Sequence, residues 1–258
     1  MTLEGRRLVA PDLELLAQGR DADVYALDDA TVLRRYRDPT HSNTLMEAKV
    51  MAYLAEHGYP VPRVHNATDT DLVLERLNGP TLFEALEAQP DSLARNARQL
   101  AELHDRLAAV PAPDWLPAPR DGHGRAAAGT RASVLHLDLH PLNVILTPER
   151  GPMVIDWTIA AAGDPAFDLA RTIVTISTAD LPEAQTALLR RYTRILRHAS
   201  TSDPSPHLAD AARAKLAEPN KTESEAARLR ALIESAEGAE DVKHADRAER
   251  AERKRPEL

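Results

Sequence analysis

The spacing of apolar and polar residues changes character twice along the chain. Near the start, short β-branched and aliphatic runs alternate with polar residues, as half-buried strands require. Leu13 to Ala17 predicts a strand, followed by the polar turn Gln18–Asp23, the strand Val24–Leu27, an Asp28-Asp29 turn and the strand Thr31–Tyr36. Alternation in that third strand sets Val32, Arg34 and Tyr36 on one face and Leu33 and Arg35 on the other. The period then lengthens. Leu45, Met46, Lys49, Val50, Tyr53 and Leu54 recur at helical spacing, predicting a helix over Ser42–His57 with Ser42 or Asn43 as its cap and Gly58 past its end. Prolines hold Tyr59–Val64 extended, and Asp71–Leu77 predicts a further strand, broken by Asn78-Gly79-Pro80.

Beyond that break the helical period dominates. Thr81 and Glu84 stand at capping-box spacing at the head of a helix reaching Ala88, and Ser92–Ala109 carries Leu93, Ala97, Leu100, Leu103 and Leu107 on one stripe. His104 lies beside that stripe and reads as a core or helix-end residue. Pro111–Arg131, rich in Pro, Gly and Ala, predicts a surface loop. A helix from Asp164, with Pro165 in its first turn, runs through Ile176, and Pro182–His198 predicts an amphipathic helix with arginines outward. Residues 207–235 hold one or two more helices anchored by Leu208, Leu216, Leu229, Leu232 and Ile233. From Glu237 the chain is charged and Ala-rich, a frayed helix or disordered tail.

One stretch departs from this alternation of simple elements. In His136–Trp157, HLDLHPLNVILTPERGPMVIDW, apolar runs border isolated polar residues. Val144–Leu146 and Met153–Ile155, joined by Thr147-Pro148-Glu149-Arg150-Gly151, predict a β-hairpin that gathers Asp138, Asn143 and Asp156 at one end. Two carboxylates and a carboxamide so placed suit phosphoryl transfer from a metal nucleotide. One carboxylate orients the attacking hydroxyl; the other, with the amide oxygen, holds a hard cation such as Mg2+.

Composition narrows the alternatives. The chain has 258 residues, 43% of them apolar, enough for a sizeable core. Its net charge of −8 argues against non-specific nucleic-acid binding and is compatible with a cationic substrate. The absence of cysteine excludes disulfides, thiolate catalysis and Cys-ligated zinc. The N-terminus lacks a signal-peptide core and no stretch approaches a membrane span, so a cytoplasmic protein is expected, with no membrane partner.

The string His136-x-Asp138-x-x-x-x-Asn143, the hairpin and Ile155-Asp156-Trp157, where protein kinases carry Asp-Phe-Gly, resemble the aminoglycoside phosphotransferase and choline kinase group; Gly163–Arg171, GDPAFDLAR, resembles that group's next segment. The resemblance implies an α+β, protein kinase-like two-lobed fold. Its N-lobe, residues 1–77, would be a small antiparallel sheet with one main helix. A mostly helical C-lobe over 78–236 would precede the 237–258 tail. It implies an ATP- and Mg2+-dependent enzyme phosphorylating a hydroxyl of a small molecule. Asp138 would be the catalytic carboxylate, and Asn143 and Asp156 the metal ligands. Gly19 would lie in the turn over the nucleotide phosphates. Arg34 would stand where the group has a phosphate-binding lysine, paired with Glu47. Glu75, Arg76 and Leu77 would line the adenine. His136 would fix the catalytic loop, His140 would brace it or line the acceptor pocket, and Asp164 and Asp168 would support it. Arg34 is a departure, because a planar guanidinium is longer and differently hydrated than an ammonium; it keeps open a nucleotide-binding protein without catalysis. His136, Asp138 and His140 also admit a metal-dependent hydrolase, since alternation would put all three on one face of a strand.

Overall fold

Strand-forming sequence in the first part of the chain assembles into one antiparallel sheet. A computed structural model describes residues 13–19, 21–38, 40, 43–120, 122–180, 182–219 and 221–236. The Ser42 cap and the charged tail from Glu237 lie outside them. Contacts divide the chain into two compact units, one formed by residues up to Ala88 with Pro141–Ala160, the other by Gln89–His140 with the residues from Ala161 on.

In the first unit, β1 (Leu15–Gln18), β2 (Ala22–Ala26), β3 (Thr31–Tyr36), β4 (Val64–Ala67) and β5 (Asp71–Glu75) form a five-stranded sheet in the order β1-β2-β3-β5-β4. Every neighbour pair is antiparallel. Strand β3 is central, and its pairing of Leu33 with Val73 and of Arg34 with Leu72 fixes which face each side chain takes. Helix α1 (Thr44–Glu56) packs on the sheet and buries Glu47, Val50, Met51 and Leu54, a helical stripe on the sheet face of Arg34, Tyr36 and Leu72. It begins without a side-chain cap from Asn43, while Thr44, its first residue, donates its hydroxyl to the Thr68 carbonyl. Strand β4 has no counterpart in the sequence pattern: Val64-His65-Asn66-Ala67 has polar, exposed centres because it is an edge strand.

Helix α2 (Leu82–Ala88) opens on the reciprocal box expected of Thr81 and Glu84: Glu84 N–H donates to Thr81 Oγ1 at 3.1 Å and Thr81 N–H to Glu84 Oε2 at 2.7 Å. The hairpin strands β7 (Val144–Thr147) and β8 (Gly151–Val154) pair from Val144–Val154 to Thr147–Gly151, and Gly151 supplies the positive φ, 71°, that the turn needs. The hairpin packs within the first unit: Leu146 N–H donates to Pro80 O and Val154 N–H to Pro60 O, each at 2.8 Å. Residues 141–160 thus pack with the sheet unit.

The second unit is helical: α3 (Leu93–Ala108), α4 (Pro165–Thr178), α5 (Glu183–Ala199), α6 (Leu208–Ala217) and α7 (residues 223–236). The predicted α3 stripe is buried from Leu93 to Leu107, each leucine contributing about 2 kcal/mol of hydrophobic burial. Arg190, Arg191, Arg194 and Arg197 of α5 are exposed. Tyr192 reaches inward and donates to Asn96 Oδ1 at 2.8 Å. Strands β6 (Ser133–Leu135) and β9 (Ala161–Gly163) pair antiparallel, a contact invisible to local pattern because its members lie far apart in sequence.

Candidate active site

The hairpin delivers two of the predicted polar residues to its open end. Asn143 ends the 3₁₀ turn Pro141–Asn143, and its carbonyl accepts from Ile155 N–H at 3.0 Å, so Asp156 follows directly beside it. Asp156 is one of two non-glycine residues with positive φ among those described, at 66°. Aspartate tolerates this region better than most side chains, but the conformation still requires surrounding contacts to fix it. Those contacts are present. Trp157 is buried, donates its N–H to Glu47 Oε1 and its indole N–H to Val154 O, both at 3.2 Å, and stands edge-on to Tyr59 with ring centroids 5.7 Å apart.

Arg34 connects this corner to the sheet and helix. Its Nη1 donates to Glu47 Oε1 at 2.5 Å; its Nη2 donates to Asp156 Oδ1 at 2.8 Å and to Thr158 Oγ1 at 3.2 Å. The planar fork makes the double attachment possible. Burial opposes the Arg34 charge, but the Glu47 and Asp156 carboxylates outweigh it and raise its pKa. Glu47 is 1% exposed. Burial pushes its pKa up against the opposing pull of Arg34. Tyr36 donates to Glu47 Oε2 at 3.1 Å and lies 2.8 Å from Thr158 Oγ1.

The second unit holds His136 to His140. Leu137 is the other residue with positive φ, 67°, a position a branched side chain occupies only when held there. Helix α4 holds it. Asp168 Oδ1 accepts from Leu137 N–H at 2.5 Å, Arg171 Nε donates to Leu137 O at 3.2 Å, and Thr172 Oγ1 donates to Leu139 O at 2.7 Å. The backbone on both sides of Asp138 is thereby tied to one helix. Asp168 also faces His104 Nδ1 at 3.4 Å, and His104 Nε2 lies 3.1 Å from Thr172 Oγ1. Burial raises the Asp168 pKa, yet the bond to His104 and the charges and donors around it hold the carboxyl below its ordinary value. Asp164 caps α4, accepting from Ala166 N–H at 2.9 Å, with His207 Nε2 3.3 Å from its other oxygen.

Asp138 itself is 32% exposed. Burial works against its charge, but His140, whose Nε2 lies 3.5 Å away, and the positive charge of Lys215 hold it well below the carboxylate range. His136 is fully buried, and its Nδ1 accepts the Asp138 N–H at 3.2 Å. That bond turns its Nδ1 into the loop, and among the described residues no three His, Asp or Glu side chains gather as a metal site. His136, Asp138 and His140 therefore do not form the ligand cluster that a hydrolase would need. Asn143 and Asp156 carry an amide and a carboxylate oxygen, hard donor types that could hold a divalent cation such as Mg2+.

The residues expected from the sequence to lie beside a nucleotide are Gly19, Glu75, Arg76 and Leu77. Gly19 occupies the β1–β2 turn, donating its N–H to Ala22 O at 2.8 Å and accepting from Arg37 Nη2 at 2.6 Å. Glu75 ends β5; its carboxylate accepts from Arg150 Nη1 at 2.6 Å and from Arg63 N–H at 3.0 Å. The N–H groups of Glu75 and Arg76 donate to Arg63 O and Ala30 O, and Leu77 follows them in the connector.

Several participants escape sequence reasoning. Arg171 and Thr172 stand one helical turn beyond Asp168, on the face that meets Leu137 and Leu139, a spacing that could have flagged them. Tyr36 shares the strand face of Arg34, the only hint of its role. Thr158, Lys215 and Glu218 give no local signal; Glu218 accepts from Arg171 and lies 3.4 Å from Lys215.

Comparison with known proteins bears on the family and the fold. The sequence model of the phosphotransferase enzyme family (APH) matches residues 12–131 and 124–207. Aminoglycoside phosphotransferase APH(4)-Ia superposes with a TM-score of 0.60 at 16% identity, over 87% of this chain and 92% of its own. A thermostable mutant of that enzyme, solved as a ternary complex with AMP-PNP and hygromycin B, gives 0.59 at 15% identity over 87% and 92%. The streptomycin–ATP–APH(2'')-IIa complex gives 0.53 at 14% identity over 78% and 82%. These likenesses establish the protein kinase-like α+β fold. No curated protein matches the sequence, and no described helix is long and apolar enough to cross a membrane.

Proposed function

Since this chain belongs to the phosphotransferase enzyme family, we propose that it moves the γ-phosphate of ATP to a hydroxyl of a small molecule. One observation carries the reading. Asn143 and Asp156 meet at the open end of the hairpin, and Arg34, held by Glu47, donates to Asp156 at 2.8 Å. This is a cation on a buried counter-charge set against two oxygen donors, the combination that binds phosphates with a metal.

Asn143 and Asp156 would hold Mg2+, which when bound offsets phosphate charge. Arg34 would bind phosphate oxygens through its fork while Glu47 keeps it extended from β3. Asp138 orients the acceptor hydroxyl. As the oxygen–phosphorus bond forms and the bond to the bridging oxygen breaks, releasing ADP, the hydroxyl proton passes to an Asp138 oxygen. A carboxyl held below its usual pKa is a poor base, so its contribution is positioning with late proton transfer. The ties from Asp168, Arg171 and Thr172 keep that carboxylate from wandering.

The acceptor panel begins with aminoglycosides, because solved relatives were captured with hygromycin B and streptomycin, and extends to choline-like amines, sugars and amino acids. The test is ADP release across the panel with ATP and Mg2+. Acceptor-dependent release that disappears in Asp138→Asn supports the proposal. A second reading, nucleotide binding without turnover, draws on Arg34 bonding directly to Asp156. ATP-dependent thermal stabilisation with no ADP release from any acceptor would select it.

A further inference from the structure

Thr158 and Tyr36 have no part in the chemistry above, yet both hydroxyls are built into the Asp156 corner. Thr158 Oγ1 donates to Asp156 Oδ1 at 2.6 Å, closer than the 2.8 Å of Arg34 to the same oxygen. Tyr36 Oη stands 2.8 Å from the same Thr158 oxygen, and Arg34 Nη2 donates to it at 3.2 Å. A hydroxyl carries one proton and two lone pairs. If the Thr158 proton goes to Asp156, its lone pairs are left to face donors, and Tyr36 and Arg34 are the donors at hand. Tyr36 is 3% exposed, and burial together with Glu47 raises its pKa, so it keeps its proton. Tyr36 has one proton, for which Glu47 Oε2 at 3.1 Å and Thr158 Oγ1 at 2.8 Å compete, and the shorter distance favours the order Tyr36 to Thr158 to Asp156.

Resting on the reading of Asp156 as a metal ligand, we propose that Thr158 is its positioning residue and that Tyr36 holds Thr158 in its donating orientation. Asp156 sits at a φ of 66° on the exit from a hairpin, so its backbone alone does not fix where the carboxylate points. The Thr158 bond pins Oδ1 from a residue two positions on, and the buried Trp157 between them makes that short loop rigid. Arg34 pulls on the same oxygen but would be drawn toward phosphate when nucleotide binds. Thr158 is the partner that stays.

The test is Mn2+ binding, read by electron paramagnetic resonance of the free ion, with ADP present and with Mn2+ alone, so that no turnover is needed. Thr158→Val keeps the shape and removes the hydroxyl. It should weaken Mn2+ binding with ADP by about 10-fold or more, the usual effect of losing a partner that orients a metal ligand. ADP affinity without metal should be unchanged. Thr158→Ser should restore Mn2+ binding, and Tyr36→Phe should fall between. Equal Mn2+ affinity in wild type and Thr158→Val overturns the positioning role while leaving the metal-nucleotide reading intact. Absence of Mn2+ binding by wild type with ADP overturns both. Should Thr158→Val fail to fold, Tyr36→Phe decides: wild-type affinity there overturns the proposal.

Discussion

Leu137 holds a left-handed backbone, φ 67°, because its N–H donates to the buried Asp168 carboxylate at 2.5 Å. Substitution of Asp168 therefore acts twice. It leaves a buried N–H without its acceptor and releases strain next to Asp138. Asp168→Ala should cost about 3 kcal/mol in a urea titration, the range for one buried partner removed from a charged hydrogen-bonded pair.

The same carboxylate sets a pH dependence. Its folded pKa lies below the ordinary 3.8, so it contributes stability above that value, and the contribution is lost as pH falls below it. Melting temperature measured from pH 7 down to pH 2 should decline steeply below about pH 4. The decline should be shallower in Asp168→Asn, which is already without the charge.

Asp138→Asn should lower turnover by about 1,000-fold while ATP still stabilises the protein in a thermal shift. Because Asp138 is held below the carboxylate range, its titration should add no inflection to kcat/KM between about pH 5 and pH 8. Equal loss of ATP stabilisation and turnover would remove Asp138 from the role of orienting the hydroxyl.

Arg34 and Arg150 make a contrast. Arg34→Ala strands Glu47, which is 1% exposed, and should cost about 3 kcal/mol as well as raising the KM for ATP; Arg34→Lys should recover the pair with Glu47 but not the second attachment to Asp156, and so only part of each. Arg150 is 48% exposed in its pair with Glu75, and Arg150→Ala should shift stability by less than about 1 kcal/mol. Guanidinium chloride titrations of the variants compare them.

Local periodicity shows β1 to β3, β5, α1 to α5 and the hairpin, because each buries a face its own sequence repeats. It also shows the Thr81–Glu84 box, whose partners are three residues apart. It does not show β4, whose edge position leaves no apolar alternation, nor β6 with β9, which meet only through the tertiary fold. The candidate polar residues Asp138, Asn143 and Asp156 are readable from type and spacing because they fall within one segment. The bond of Arg34 to Asp156 spans 122 positions, and the ties from Arg171 and Thr172 to the loop before the hairpin span more than one element. No window of sequence contains both ends of such contacts. Thr158 is silent for a different reason: a threonine after an aromatic residue looks like any turn.

The return of residues 141–160 to the sheet unit imposes an order on synthesis. A chain emerging from the ribosome can pair all five strands of its first sheet by residue 75, but Glu47 then lacks the Trp157 N–H, Pro60 and Pro80 await the amides of Val154 and Leu146, and Tyr59 lacks its ring neighbour. The whole stretch Gln89–His140, belonging to the helical unit, is translated before those partners arrive. A nascent chain stalled short of Trp157 should thus be open to protease and chaperone over its leading segment, and maturation of the amino-terminal sheet should lag its translation.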